Sequence, residues 1–132
     1  MGTPAATRGG RVNAVDTHIV LVPTAGGPVP TPLPHPFSGV LDGALVASVK
    51  IGGAAAAVVG STATNSPAHL PTAPGTSFQR PPANRGTVAM GSLTVRIGGK
   101  GAARQGDPVT TCNDPADAPV GRIFVAGTVR IG

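Results

Sequence analysis

The fold is decided by one segment, Val95-Arg-Ile-Gly-Gly-Lys-Gly-Ala-Ala-Arg-Gln-Gly-Asp107, because this segment recurs in the chain. It aligns without gaps on Val49-Lys-Ile-Gly-Gly-Ala-Ala-Ala-Ala-Val-Val-Gly-Ser61. The chain ends with the first half of the segment, Val129-Arg-Ile-Gly132, and begins with the second half, Gly2-Thr-Pro-Ala-Ala-Thr-Arg-Gly-Gly10. Self-similarity of this kind indicates a repeated supersecondary unit. The sequence therefore predicts a single domain, 1–132, with copies at about 45–61, 93–107, and 123–132 completed by 2–10. We expect this domain to be closed and pseudo-threefold, with its two ends meeting in space.

Each copy has the composition of a strand, a tight turn and a short return strand. β-branched residues, which favour extended backbone, dominate the first part of each copy. The Gly-Gly pairs that follow suit a turn with positive φ, and the alanines after them indicate close approach to a neighbouring segment. The predicted strands are Leu45–Ile51, Leu93–Ile97 and Ile123–Ile131. Between them, three Pro-rich stretches are expected to form rigid packed loops, since proline lowers the entropy cost of ordering. These loops are Pro23–Pro36, Pro67–Pro82 and Asp114–Pro119.

The composition excludes several classes of protein. Gly and Pro account for 20 and 15 of the 132 residues. In a helix interior, Gly is less favourable than Ala by about 1 kcal/mol and Pro by about 3 kcal/mol, so this composition rules out a helical bundle. A mean hydropathy of +0.19 argues against disorder. The net charge of +5 comes from cations scattered singly among few aromatic residues, so nucleic acid is not an expected partner. No apolar run approaches the ~20 residues of a membrane span, and no signal peptide is evident. We expect a mostly β monomer, made in the cytoplasm, without stable membrane insertion.

Three histidines and one cysteine are the strongest candidates for a binding site. Four nitrogen and sulfur donors match the ligand number of a closed tetrahedral zinc site. Two of the histidines stand equally far after equivalent glycines, Gly9 and Gly60, and the cysteine follows Gly106, the glycine of the remaining copy. A threefold arrangement would bring these three donors to one point on the axis. We predict one structural zinc ion there; the alternative is unrelated surface histidines and a buried thiol. The predicted ligands are His18, His35, His69 and Cys112.

An enzyme is an alternative from a different functional class. Cys112 with a histidine oriented by Asp16 would have the elements of a thiol nucleophile. A chain with three Phe and neither Trp nor Tyr has little with which to line a substrate pocket. A zinc ion held by four protein donors leaves no position for a catalytic water. We therefore expect no enzymatic activity. Thiol titration of the native protein would discriminate, because a catalytic thiolate reacts readily and a metal-bound one does not.

The repeated segments resemble those of the PAAR-repeat family. The resemblance rests on Pro4-Ala-Ala-Thr-Arg-Gly-Gly10, on Val125–Gly132, and on the hallmark Ala102-Ala-Arg-Gln-Gly-Asp107 within the Val95–Asp107 segment. It extends to Val15-Asp-Thr-His18 and Pro30-Thr-Pro-Leu-Pro-His35-Pro-Phe37, and so covers nearly the whole chain. Proteins of this family accompany contractile injection machines, both type VI secretion systems and phage-tail-like extracellular systems. The sequence departs from the hallmark where Ser61 and Gly10 replace its Asp.

The resemblance implies a small β cone whose flat base caps a trimeric spike protein. It implies one zinc ion near the vertex, held by the four predicted ligands. The expected function is a structural spike tip, one per trimer, that sharpens the spike and aids penetration of the target envelope after delivery from the cytoplasm. An alternative is a small zinc-stabilised adaptor that links effectors or cargo to the spike; no effector extension is expected in this chain. The candidate spike-contact residues are Lys50, Ile51, Arg96, Ile97, Arg130 and Ile131, unless the isoleucines belong to the core and the cations are merely solvated.

Overall fold

The computed structural model describes residues 2–132, and within that range it contains thirteen β-strands and no helix. Accordingly, no helix in the described residues is long and apolar enough to cross a membrane. The strands are β1 (Thr3–Pro4), β2 (Arg11–Val22), β3 (Val29–Gly43), β4 (Val46–Ile51), β5 (Ala54–Ala56), β6 (Thr62–Asn65), β7 (Ser77–Phe78), β8 (Arg85–Val88), β9 (Arg96–Ile97), β10 (Lys100–Gly101), β11 (Pro108–Thr111), β12 (Ala118–Phe124) and β13 (Arg130–Ile131). The prediction of a small, mostly β single domain is confirmed.

Six strands close into a barrel-like sheet. Their order is β12-β11-β8-β6-β3-β2, and β12 pairs back onto β2, while β7 adds to the outer part of β2. The interior is filled by small and medium apolar side chains around Phe37, the only large aromatic residue in this core. Val12, Leu41, Val88 and Ile123 are all buried beside it. The barrel core is therefore built mainly from alanine and aliphatic side chains rather than from aromatic ones.

The longest hairpin, β2–β3, corrects one expectation from the sequence. Pro23–Pro36 is predicted as a loop, yet β3 begins at Val29 and pairs with β2 from Val29 to Val40. Prolines occupy every second position of this part of β3, at 30, 32, 34 and 36. Alternate residues of an antiparallel strand direct their N–H groups to opposite sides, so the missing donors all face away from β2. Proline is compatible with an edge strand for this reason.

Three short hairpins carry the repeated segments. They are β4–β5, β9–β10 and β13–β1, and in the last of these Thr3 pairs with Ile131. The Gly-Gly turns have positive φ as expected, with Gly52 at 60° and Gly53 at 86°, a region that favours glycine because it has no Cβ. The two ends of the chain thus complete a hairpin like the other two.

The three hairpins meet at three alanines in equivalent positions. The Ala6 N–H donates to the Ala103 carbonyl (2.9 Å), Ala103 donates to Ala57 (3.0 Å), and Ala57 donates to Ala6 (3.1 Å). These bonds form a closed cycle, which we call the alanine ring, and all three side chains are fully buried. Buried backbone N–H and carbonyl groups need hydrogen-bond partners. The ring provides a partner for one N–H and one carbonyl from each copy.

The alanine ring separates two apolar clusters. The ring alanines belong to the barrel core, whereas the alanines that precede them, Ala5, Ala56 and Ala102, belong to a second cluster with the hairpin residues. Ile97 and Ile131 are buried in this second cluster, and Ile51 packs against it. One end of the barrel is therefore closed by the ring and covered by the three hairpins.

The positions that depart from the hallmark have a structural explanation. The Asp107 carboxylate accepts the Arg104 N–H (2.7 Å), and Ser61 in the equivalent turn accepts the Val58 N–H through its hydroxyl (3.0 Å). Serine thus preserves the contact that aspartate makes. At Gly10 an added Cβ would lie 2.8 Å from a Val125 methyl group, so a side chain there would require Val125 to shift.

Candidate metal centre

Four buried polar side chains converge inside the barrel, and we call them the polar cluster. Asp16 and His18 lie on β2, where residues two apart project from the same face of a strand. His69 follows β6 and Cys112 follows β11. The four residues are 0%, 1%, 8% and 3% exposed, respectively. Each offers one donor atom, and all four atoms lie within 4.8 Å of one another. This group could hold a metal ion.

Individual distances within the polar cluster are short. Asp16 Oδ2 lies 2.9 Å from His69 Nε2 and 3.5 Å from Cys112 Sγ. Cys112 Sγ lies 3.6 Å from His18 Nε2. Three of the four residues predicted as zinc ligands are therefore together. The fourth donor in the group, Asp16, was not among the predicted ligands, although the pattern Asp16-Thr-His18 on a strand places both side chains on one face.

His35, the remaining predicted ligand, lies beside the cluster. Its ring centroid is 5.4 Å from that of His18 and 5.6 Å from that of His69. Both of its ring nitrogens contact backbone: Nδ1 lies 2.9 Å from the Leu33 carbonyl, and Nε2 lies 3.1 Å from the Thr72 N–H. Its role as a ligand stays a prediction, since the ring is near the site but its nitrogens have other partners.

Contacts from the end of β11 and the residues after it orient Asp16. The Thr111 hydroxyl donates to Asp16 Oδ1 (2.5 Å), and the Asn113 amide lies 3.5 Å from the same oxygen. Asn113 in turn accepts the Thr17 N–H through its Oδ1 (2.6 Å). The segment after β11, which contains Cys112, is therefore anchored to β2 at several points. Such outer contacts hold ligands in position for a metal.

Burial shapes the titration of the site. Burial, followed by the nearby His69, lowers the pKa of His18 below its usual 6.5. Burial and the Asp16 carboxylate raise the pKa of the Cys112 thiol above 9.0. Burial alone would raise the pKa of Asp114, but hydrogen bonds from the Ile19 N–H and from Arg80 outweigh it and lower that pKa. In the metal-free protein His18 is held as a neutral ring and Cys112 as a thiol, and metal binding must release the thiol proton.

One buried atom supports a metal-binding role. His18 Nδ1 has no hydrogen-bond partner within the described residues. The carboxylate oxygen nearest to it, Asp114 Oδ2, is 3.5 Å away, which is too long for a good hydrogen bond. A metal-ligating histidine normally directs its other ring nitrogen at a carboxylate. Nitrogen, oxygen and thiolate donors are also the set that divalent transition metals and zinc prefer. The residues present thus fit a metal ion.

The candidate spike-contact residues fall into two groups. Lys50, Arg96 and Arg130 are exposed, and within residues 2–132 none of them forms an ion pair. The three isoleucines lie in or against the hairpin cluster. The exposed apolar side chains on the hairpins are instead three equivalent valines, which sequence reasoning missed because it began at the cations. They are Val49 (37% exposed), Val95 (36%) and Val129 (47%).

No protein family, curated protein or solved structure matches this chain.

Proposed function

We propose that this chain is a non-enzymatic tip that caps the end of a trimeric spike protein in a contractile injection machine. The observation that supports it most directly is the alanine ring, in which each of the three copies donates once and accepts once. A trimer ends in three equivalent chain ends. A single chain with three equivalent copies around one ring can offer one similar contact to each of them.

The hairpins provide the surface for this contact. Each copy exposes one cation and one valine at equivalent positions, for example Lys50 beside Val49. Apolar side chains bordered by charged ones are typical of surfaces that bind another protein. Each copy would place this pair against one subunit of the spike. The stoichiometry of the complex is then one tip chain to three spike chains.

The metal belongs to the other half of the molecule. Asp16 and His18 lie well beyond Arg11, the first residue of β2, and at ~3.3 Å per residue the strand covers roughly 20 Å from Arg11 to His18. The polar cluster therefore lies several residues along the strands from the alanine ring, and Cys112 borders the barrel core that also contains the ring alanines. We infer that this half narrows to the vertex of a cone, where too few residues remain for an apolar core. One structural zinc ion there would replace the missing core, as in other small domains.

Such a centre suits a mechanical role better than a catalytic one. All four donors of the polar cluster are protein side chains, and all are buried. A tetrahedral ion with four protein donors has no position for a water or a substrate. The metal would cross-link β2 to the segments after β6 and β11, and its binding free energy would become folding free energy.

Native mass spectrometry of the chain with its cognate spike protein tests the proposal. The expected complex contains one copy of this chain per spike trimer. Reversing the hairpin charges with Lys50→Glu, Arg96→Glu and Arg130→Glu should weaken it. The matched control is the same change at Arg11, Arg85 and Arg122, which are exposed on barrel strands and should leave binding intact. A complex of three copies with one trimer, or no complex, contradicts the proposal.

A further inference from the structure

We propose that a groove beside one of the three hairpins binds an acidic, apolar segment from one chain of the spike trimer. The groove lies between the β9–β10 hairpin and the residues that precede it, 89–94. One spike chain then makes a contact that the other two do not make. This inference rests on the proposed function, to which it adds the chemistry of the partner segment and a departure from threefold symmetry.

The groove is a cleft with a mainly apolar lining and a volume of about 350 Å³. Val59 and Ala89 form part of its wall. Met90 and Leu93 border it, and they are 59% and 86% exposed. Large apolar side chains that are exposed as a group, rather than singly, mark surfaces that bind another protein. Covering Met90 and Leu93 is the apolar contribution that a docked segment would make.

Backbone contacts form the groove before any partner binds. The buried Ser92 donates its N–H to the Ala102 carbonyl (2.8 Å), and its hydroxyl accepts the N–H groups of Thr94 (3.2 Å) and Val95 (2.9 Å). At Gly91 an added Cβ would lie 2.7 Å from the Ala102 carbonyl oxygen. The residues before the hairpin therefore pack directly against the chain that leaves β10. A site that is already ordered costs less conformational entropy on binding.

Two side chains of the groove have no similar residue in the other copies. When the copies are aligned on the equivalent exposed valines, small or uncharged residues replace both. The two are Leu93, which corresponds to Ala47 and Gly127, and Lys100, which corresponds to Ala54 and Thr3. A symmetric trimer presents three identical chain ends, and one of them can enter this groove. The other two meet the smaller residues.

The charge of the groove favours an acidic segment. Arg96 and Lys100 line it, and within residues 2–132 neither forms an ion pair. The acidic residue nearest to them in the sequence, Asp107, is buried and paired with Arg104 (3.0 Å). Complementary charges beside an apolar contact steer association and set its orientation. We therefore expect Asp or Glu beside the apolar residues of the partner segment.

Other occupants fit the groove less well. A second copy of this chain has a net charge of +5, and of its five Asp only Asp42 and Asp117 are exposed in the described part of the chain. Nucleic acid is acidic, but none of the described residues that line the groove is an aromatic one on which bases stack. A spike chain is favoured because Arg96 belongs both to the groove and to the hairpin surface proposed to contact the spike.

Photocross-linking within the complex of tip and spike tests the asymmetry. p-Benzoylphenylalanine is introduced at Leu93 and, as matched controls, at the equivalent exposed positions Ala47 and Gly127. At Gly127 nothing lies within 4 Å of an added Cβ. The group at position 93 should cross-link to an acidic segment of the spike that neither control reaches. Cross-links from all three positions to the same spike residues, or from position 93 to a second copy of this chain or to nucleic acid, overturn the inference.

The affinity for the spike provides a second test. Leu93→Ser and Lys100→Ala should each raise Kd by about 10-fold, and the effect of Lys100→Ala should diminish at high salt. Unfolding is not expected, because both side chains are exposed. The controls are Val120→Ser and Arg85→Ala, which are exposed on barrel strands and should change Kd by less than about 2-fold.

The outcomes separate this inference from the proposed function. If the complex of one tip and three spike chains forms with unchanged affinity in both groove variants, the inference is wrong and the proposed function stands. If the wild-type chain forms no complex with the spike, both are wrong.

Discussion

The two halves of the barrel are held together by different interactions. At the alanine ring, equivalent residues from the three copies are joined by backbone hydrogen bonds of 2.9–3.1 Å. At the polar cluster, side chains from β2 and from the segments after β6 and β11 converge without a comparable backbone cycle. The ring needs only small side chains and exact chain geometry, whereas the cluster places a carboxylate, two imidazoles and a thiol out of contact with water.

The two halves also differ in whether their buried polar groups have hydrogen-bond partners within the protein. A buried polar group is costly unless it is paired, and His18 Nδ1 has no partner within residues 2–132. The ring has no such group, since its N–H and carbonyl groups are paired with one another. All four groups with resolved pKa shifts, His18, His35, Cys112 and Asp114, also lie in or beside the cluster. The ring half is complete as folded, whereas in the cluster half we propose that a metal ion joins the four donors.

The largest expected effect comes from removing the thiol. Cys112→Ala should abolish stoichiometric zinc binding, because a tetrahedral site loses its thiolate donor. At zinc concentrations about 1,000 times Kd, binding stabilises a fold by about 4 kcal/mol. We therefore expect the variant to melt roughly 15 °C below the zinc-loaded wild type. Elemental analysis and thermal denaturation measure the two effects.

A valine truncation elsewhere in the barrel is the control for that experiment. Val88 is buried in the barrel core, and its side chain has no atom that could bind a metal ion. Val88→Ala should cost about 2 kcal/mol while retaining one zinc per chain. Chelation should then still lower its melting temperature, unlike that of Cys112→Ala. If Cys112→Ala retains full zinc occupancy, the cluster is not the metal centre.

A smaller effect is expected at the alanine ring. Ala103→Val adds two methyl groups at a fully buried position, and overpacking of this kind costs about 1–3 kcal/mol. The zinc content should not change, because Ala103 contributes no donor atom to the polar cluster. Urea denaturation of the zinc-loaded chain measures the loss. Ala126→Val, at an exposed position, is the control and should be neutral; a loss of zinc from Ala103→Val would mean that the two halves are coupled.

The alanine ring half is where the sequence was most informative. The repeat alignment predicted three strand–turn–strand units, and the hairpins β4–β5, β9–β10 and β13–β1 lie in the corresponding segments, because glycine turns and β-branched strands are local properties. The predicted strand Ile123–Ile131 is interrupted, since β12 ends at Phe124 and β13 begins at Arg130. The exposed valines were not foreseen. Which side of a two-stranded hairpin faces the core depends on the second apolar cluster, and no local pattern describes that cluster.

The polar cluster was predicted less completely. Counting histidines and cysteine identified His18, His69 and Cys112, but an aspartate in a strand is indistinguishable by composition from one in a turn. The partners of His35 could not be predicted either, since Thr72 reaches it from a distant segment. Pro23–Pro36 was assigned to a loop because proline usually breaks a strand. Its alternation with β-forming residues was the signal that allowed an edge strand.

The pH dependence of stability should differ between the metal-free and zinc-loaded chains. In the metal-free fold the pKa of His18 is below 6.5, so the fold loses stability as pH falls below that value, where the unfolded chain binds the proton more readily. The pKa of Cys112 is above 9.0, so stability is also lost as pH rises past that value. Urea midpoints of the metal-free chain should therefore be highest between these limits. The alkaline loss should vanish with zinc, because the thiol is already ionised; an alkaline loss that persists contradicts thiolate coordination.

Amide hydrogen exchange with and without zinc tests the central claim most directly, because it reports the two halves in one sample. Two sets of amides are compared. Thr17, Ile19 and Thr72 donate to side chains beside the polar cluster. Ala6, Ala57 and Ala103 donate within the ring. Zinc removal should lower the protection of the first set by about 100-fold or more and leave the ring set nearly unchanged. Equal loss of protection in both sets, or no loss in either, would contradict the account of one self-sufficient half and one half that depends on a metal.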